Sequence, residues 1–222
     1  MKIAVIIGSP RGMKGNTGRL LEEVLAGLSK EAETKLIDLS RQRILPCNGC
    51  DHCHRTGTCH LKDDYETIKQ SLLACDGFIL ASPNYIFSIT AQLKALFDRS
   101  GNIIHCLMLE DKYGAVVETS GGGEDDEVIR YMARFINSTG AHSVGGIGSP
   151  MAGDRTFPEE EILFDKARAL GSELCRCIKE ATDFPDQADY LLAFKTRMKR
   201  LVEYRRKDWT AEQSYWNEHH AK

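Results

Sequence analysis

No apolar stretch of the chain approaches the roughly 20 residues that a bilayer-spanning helix needs, so a membrane partner is not expected. Strong net charge is also missing. The formal value is −3, which argues against nucleic acid or an anionic membrane as a partner. One local basic run, Lys195–Lys207, alternates with Met198, Leu201, Val202 and Tyr204. That spacing suits an amphipathic helix with a solvated basic face. No secretory leader is expected, since Met1–Ile7 reads as an apolar strand with no cleavage site behind it. The expected location is the cytoplasm, where eight cysteines are thiols or metal ligands rather than a disulfide framework. Two nucleotide signatures are missing as well. Lys14 is followed by Gly15, so there is no Gly-Lys-Ser/Thr P-loop, and no GxGxxG spacing follows the first strand. A nucleotide triphosphatase and a first-strand NAD site are both disfavoured. Internal repeats and low-complexity segments are absent.

What is present is a regular alternation. The 222 residues, 42% of them hydrophobic, are enough to bury a full core in one domain. Strand-like runs fall at Lys2–Ile7, Thr34–Asp38, Gly77–Ser82, Tyr113–Thr119 and Ser143–Ile147. Between them lie helical patterns: Leu20, Leu21, Val24, Leu25 and Leu28 share one face, and Val128, Ile129, Met132, Phe135 and Ile136 another. Helices over Asp64–Cys75 and Thr90–Arg99 fill the other gaps, and Leu163, Ala167, Leu170, Leu174 and Ile178 mark one after the fifth strand. Five βα units predict an α/β protein with a doubly wound, five-stranded parallel sheet that binds ligands outside the carboxyl ends of its strands. The predicted division is 1–182 as one domain, with a cysteine-rich loop at 46–60, and 183–222 as a C-terminal helix and arm.

Two loops carry chemistry. The first, Gly8-Ser9-Pro10-Arg11-Gly12-Met13-Lys14-Gly15-Asn16-Thr17-Gly18, turns from the first strand into a helix. Its amides, the Ser9 and Thr17 hydroxyls and the Asn16 side chain are donors that can face one point. A helix N-terminus favours an anion there. Arg11 adds charge or sits in solvent. The bland alternative is a glycine-rich turn of no consequence.

Gly8-Ser9-Pro10-Arg11 followed by Gly15-Asn16-Thr17 resembles the FMN-phosphate loop of the flavodoxin-like NAD(P)H-dependent FMN reductase family. Two further segments fall where that resemblance requires. Ser82-Pro83-Asn84-Tyr85-Ile86-Phe87-Ser88-Ile89-Thr90-Ala91-Gln92-Leu93-Lys94, after the third strand, is similar to the family's loop along the isoalloxazine ring. Thr119-Ser120-Gly121-Gly122-Gly123, after the fourth, resembles its second flavin-contacting loop. The likeness spans roughly residues 1–180. It implies a flavodoxin-like fold and FMN bound by Ser9, Arg11, Gly15, Asn16, Thr17, Pro83, Asn84, Tyr85, Ile86, Phe87, Ser120, Gly121 and Gly122. Pro83 fixes local backbone geometry, Tyr85 or Phe87 is placed to cover the ring, and Gly121–Gly123 leave room for a planar ligand. Ordinary packing is the alternative for either aromatic residue. For Ser120 the alternative is capping the helix that begins near Glu124.

The second loop packs Cys47, Cys50, Cys53 and Cys59 into thirteen residues. Two x2 gaps in succession let one segment wrap a compact multi-iron cluster. Pro46, Gly49 and Gly57 favour tight backbone. The arrangement resembles the cysteine motif of the iron–sulfur flavoproteins, a branch of the same family, and so implies a [4Fe–4S] cluster on Cys47, Cys50, Cys53 and Cys59. Zinc, a redox-active disulfide and an unmetallated loop stay open, although closed zinc sites usually draw on two separated ligand pairs. His52, His54 and His60 are expected to face solvent. Cys75, Cys106, Cys175 and Cys177 form no site by spacing and read as small apolar residues.

The expected activity is that of an FMN-dependent oxidoreductase passing electrons between a reduced donor, NAD(P)H or ferredoxin, and a small or protein acceptor. No catalytic acid or base is required, because the flavin does the chemistry. Three other readings are an NAD(P)H:FMN or quinone reductase without a metal cluster, a non-enzymatic flavodoxin-type carrier, and a redox-sensing module. Reductases of this family typically complete the flavin pocket with a second subunit. Trp209, Tyr215 and Trp216 amid polar residues add to the expectation of a homodimer or homotetramer whose contact includes the segment after Pro185.

Overall fold

A computed structural model describes residues 1–123 and 125–220. Strands β1 (Lys2–Ile7), β2 (Glu33–Asp38), β3 (Gly77–Pro83), β4 (Tyr113–Ser120) and β5 (His142–Pro150) form one sheet in the order β2-β1-β3-β4-β5. All four neighbouring pairs are parallel. The predicted flavodoxin-like topology is what the chain adopts, with β2 on the edge beside β1.

The helices alternate with the strands. They are α1 (Asn16–Ala26), α2 (His52–Thr56), α3 (Tyr65–Leu73), α4 (Ala91–Arg99), α5 (Gly101–His105), α6 (Asp125–Ser138), α7 (Glu160–Glu180), α8 (Pro185–Tyr204) and α9 (Thr210–His219). Side chains alternate across each strand, so each buried strand feeds two cores. Ala4, Ile6, Phe78, Leu80 and Val116 pack with Ile68, Leu93, Leu96 and Met132 on one face. Ile3, Val5, Ile7, Ile79, Ala115 and Val117 pack with Leu20, Leu21, Val24 and Leu174 on the other. Cys175 and Cys177, expected as small apolar residues, both enter this second core.

Three short helices have no periodic signal long enough to read. Helix α2 lies inside the cysteine loop, α5 follows α4 after one residue, and α9 ends the described chain. The arm folds back on its own chain: Trp216 joins Cys106, Leu107, Met198 and Val202 in a third cluster. Trp216 is buried there, and Trp209 is buried against His54 and His105, so both tryptophans pack on their own chain. Among the described residues, no helix is long and apolar enough to cross a membrane.

Candidate active site

The phosphate loop ends where α1 starts. Gly15 is the N-cap residue, and no side chain caps the helix. The amides of Asn16, Thr17 and Gly18 are therefore first-turn donors without an intrahelical partner, as an anion site requires. Gly18 has to be glycine, since a Cβ there would lie 2.3 Å from the Met13 carbonyl oxygen. Ser9 and Thr17 are buried beside this nest, and Arg11 is exposed.

Three loops meet at the carboxyl ends of β1, β3 and β4. Thr17 Oγ1 and Thr119 Oγ1 share a buried hydrogen bond of 2.6 Å. Thr90 Oγ1 donates to the Gly8 carbonyl at 2.6 Å, and the Asn84 amide donates to the Thr119 carbonyl at 2.8 Å. These bonds bring the three loops together into one rim.

Asn16 has a different task from the one expected. Its Oδ1 accepts from the Arg155 amide at 2.6 Å, and its Nδ2 faces Met151 Sδ and the Gly153 carbonyl. The segment after β5 therefore lies across the phosphate loop as a strap. Arg155 braces it, donating to the carbonyls of Met13 and Gly15 at 3.1 and 3.2 Å. Arg11 pairs with Asp154 of the same strap at 3.4 Å, both side chains largely exposed, a contact of small energetic weight. Periodicity contains no sign of this strap.

The loop after β3 forms a tight turn. The amides of Tyr85 and Ser88 donate to one another's carbonyls at 2.8 and 3.3 Å. The central residues Ile86 and Phe87 have φ of 50° and 63°, which is costly for a β-branched or bulky side chain. Such strain collects at ligand clamps. The turn holds Ile86 and Phe87 in solvent, 89% and 69% exposed, with Tyr85 at 49%. Pro83 ends β3 beneath it. Opposite, Ser120 Oγ accepts from the Gly122 amide at 3.2 Å, and nothing lies within 4 Å of where a Cβ would stand on Gly121, Gly122 or Gly123. Glu124, named for the alternative Ser120 cap, lies outside the described residues. Uncapped amides, an open glycine edge and exposed apolar side chains fit a phosphorylated planar ring such as FMN.

Glu118 lies beneath this rim, fully buried. Neither of its oxygens has a hydrogen-bond partner among the described residues. Burial, reinforced by nearby Asp125, pushes its carboxyl up to about 9.

The cysteine loop stands apart. Among the described residues, no hydrogen bond joins it to the three flavin-side loops. Cys47 and Cys50 are exposed, Cys53 and Cys59 half-buried, and all eight cysteines are free thiols. No three of the four loop sulfurs lie within 4.8 Å of one another. Four thiolates about 2.3 Å from one zinc ion would be closer than that, so the loop is not drawn around a single ion. Ligands of a multi-iron cluster stand further apart, and the donor set of four thiolates fits one. Three left-handed positions shape the loop: Gly49, Asp51 and Gly57 have φ of 65°, 57° and 80°, a conformation that is strained at Asp51 and free at the two glycines.

A buried ion pair anchors the loop. Arg99 Nη1 meets Asp63 Oδ2 at 2.7 Å, with side chains 1% and 0% exposed. Arg99 also donates to the Leu45 carbonyl at 2.8 Å and to Cys59 Sγ at 3.0 Å, and its guanidinium lies 4.6 Å over the Tyr65 ring. Burial by itself would raise the Asp63 carboxyl, but hydrogen bonds from Arg99 and the Leu45 and Tyr65 amides hold it below its ordinary value. Local pattern gives no signal for this pair, because Arg99 closes a helix that also carries Lys94 and Asp98. The histidines divide: His60 Nδ1 lies 3.3 Å from Cys50 Sγ, whereas His54, expected in solvent, is 11% exposed and held by Glu212.

Comparison with known proteins agrees with this geometry. The family described as NADPH-dependent FMN reductase matches residues 1–151. An iron–sulfur flavoprotein of Methanocaldococcus jannaschii is 34% identical over 193 residues, covering 81% of this chain and 98% of its own. An iron–sulfur flavoprotein of Archaeoglobus fulgidus is 30% identical over 221 residues, 98% of each chain. Among solved structures, a flavodoxin, WrbA-like protein from Agrobacterium tumefaciens has a TM-score of 0.57 at 16% identity, covering 82% of this chain and 98% of that one. That last likeness concerns the fold. The chain belongs to the NADPH-dependent FMN reductase family, in its iron–sulfur flavoprotein branch, and is a flavin-dependent oxidoreductase.

Proposed function

We propose that the protein relays electrons from a reduced donor, NAD(P)H or ferredoxin, to a small-molecule or protein acceptor through FMN and a [4Fe–4S] cluster. The observation that carries the reading is the pairing of two loops on one chain: an uncapped helix start with open glycine edges, and four free cysteines anchored by a buried arginine. Bound flavin supplies a junction between two-electron and one-electron chemistry, and a cluster supplies a one-electron store. The chain's own residues do the rest. First-turn amides of α1 and the Ser9 and Thr17 hydroxyls hold the phosphate. The strained turn sets Tyr85, Ile86 and Phe87 against the ring, and Gly121 and Gly122 let the ring approach the backbone. Cys47, Cys50, Cys53 and Cys59 hold the metal. Residues 1–182 form the cofactor-binding domain, and 183–222 the C-terminal arm.

The proposal includes a homodimer or homotetramer in the cytoplasm. Exposed Ile86 and Phe87 support an oligomer better than the buried arm aromatics do, and eight free thiols suit a reducing compartment. The cysteine loop, unconnected to its own flavin rim, is read as serving the flavin of a neighbouring subunit.

The test is anaerobic purification followed by an absorption spectrum and iron and acid-labile sulfide analysis. Flavin bands above a broad iron–sulfur shoulder, with about four irons per chain, are expected. Flavin without iron would reduce the protein to an NAD(P)H:FMN or quinone reductase. Colourless protein that takes up no FMN would overturn the whole reading.

A further inference from the structure

The C-terminal helix reaches across the fold to the cysteine loop. Glu212, on α9, is completely buried. Its Oε1 lies 2.5 Å from His54 Nδ1 and its Oε2 3.2 Å from His105 Nδ1. Asn102 Nδ2 donates to Oε1 at 3.3 Å. Asn102 Oδ1 in turn accepts from Lys69 Nζ at 2.7 Å, and Lys69 also donates to the Gly57 carbonyl at 2.7 Å. One carboxylate thus ties helix α2, inside the cysteine loop, to α5 and α9.

Trp209 closes the same contact. Its ring stacks on His54 at 4.4 Å and on His105 at 4.9 Å. Its Nε1 donates to Asp51 Oδ2 at 3.3 Å, and Arg205 meets the same oxygen at 3.4 Å. Thr210 Oγ1 donates to the Arg55 carbonyl at 3.1 Å. Helix α2 is five residues long, far below the length at which a helix holds itself. It carries Cys53, and its neighbours Asp51 and Gly57 both take left-handed backbone conformations. A segment this short and strained takes its shape from what is packed on it.

We propose that α9 is a clasp on the cysteine loop, with Glu212 and Trp209 as positioning residues that hold Cys53 ready to ligate metal. Neither residue touches the cofactors. What the loop ligates rests on the proposed cluster; the clasp itself does not. A buried carboxylate with three donors is costly to leave half-made, so the clasp closes as one unit and removes loop conformations that would scatter the four thiols.

The test uses the full-length protein and the variants Glu212→Ala, Glu212→Gln and Trp209→Phe. Hydrogen exchange of amides 53–57 reads the clasp without metal. In Glu212→Ala these amides should exchange about tenfold faster or more, the size expected for a lost buried hydrogen bond, while FMN content stays unchanged. Glu212→Gln keeps an acceptor oxygen and Trp209→Phe keeps a stacking ring, so both should recover part of the protection. Iron uptake by apo-protein should follow the same order, and the cluster's reduction potential should move in Glu212→Ala. Unchanged exchange at 53–57 in folded Glu212→Ala would overturn the clasp. So would a divalent ion bound stoichiometrically to protein with its loop cysteines alkylated and lost in Glu212→Gln, because the triad would then be a ligand set. A wild-type protein that takes up no iron removes the cluster reading and leaves the exchange result intact.

Discussion

Arg99 Nη2 donates to Cys59 Sγ at 3.0 Å from a side chain that is 1% exposed. The same guanidinium is paired with fully buried Asp63, so the charge beside the sulfur is fixed in place. A hydrogen bond and a positive charge at a thiolate favour the more negative, reduced form of whatever metal group it holds. Replacing Arg99 by Gln should lower the reduction potential of that group, measured by anaerobic redox titration. It should also strand the Asp63 carboxylate, costing about 3–5 kcal/mol, read by urea unfolding. An unchanged potential in folded Arg99→Gln protein would show that the contact tunes nothing.

Thr17 and Asn16 should separate. Thr17→Ala removes a hydroxyl at the nest and should weaken FMN binding by about 1–3 kcal/mol, the size of a hydrogen bond to a charged group. Asn16 is spent on the strap, so Asn16→Ala should act mainly by freeing residues 151–157. Flavin titration by fluorescence and hydrogen exchange of the strap would distinguish the two. Equal flavin loss with an unmoved strap would return Asn16 to the phosphate.

The turn at Ile86 and Phe87 carries strain that a glycine would relieve. Phe87→Gly should stabilise the apo-protein by about 1 kcal/mol and raise its thermal midpoint. It should weaken flavin binding at the same time, because the ring loses an apolar cover. A variant that is more stable and binds FMN as well as before would mean that Phe87 does not face the ring.

Glu118 makes stability depend on pH. Its carboxyl, raised from 4.5 to about 9, keeps a proton in the folded state that the unfolded chain releases within that window. Stability should therefore fall as pH rises from about 4.5 to about 9 and change little beyond, as far as this group decides it. Glu118→Gln should flatten the profile and raise the thermal midpoint near pH 8 more than near pH 5. Parallel profiles for the two proteins would show that Glu118 is ionised.

The sequence by itself determined the order and kind of the long elements, because apolar periodicity is a local property that each core face requires. Strands β1 to β5 and helices α1, α3, α4, α6, α7 and α8 all carry it. The residue chemistry of both loops was legible in the same way, as donors and glycines in one and thiols in the other. Local pattern could not show what those loops are tied to. Asn16 reads as a phosphate donor, yet Arg155, 139 positions away, holds its side chain. His54 reads as solvated, yet Glu212, 158 positions away, holds it in a part-buried contact. The arm's tryptophans read as interface residues, yet Trp216 closes a cluster within its own chain and Trp209 stacks on His54 and His105. Such pairings have no periodic signature, since they depend on where the folded sheet delivers the ends of distant segments. The tertiary structure alone decided them, because a buried polar group takes whichever partner the fold brings within reach.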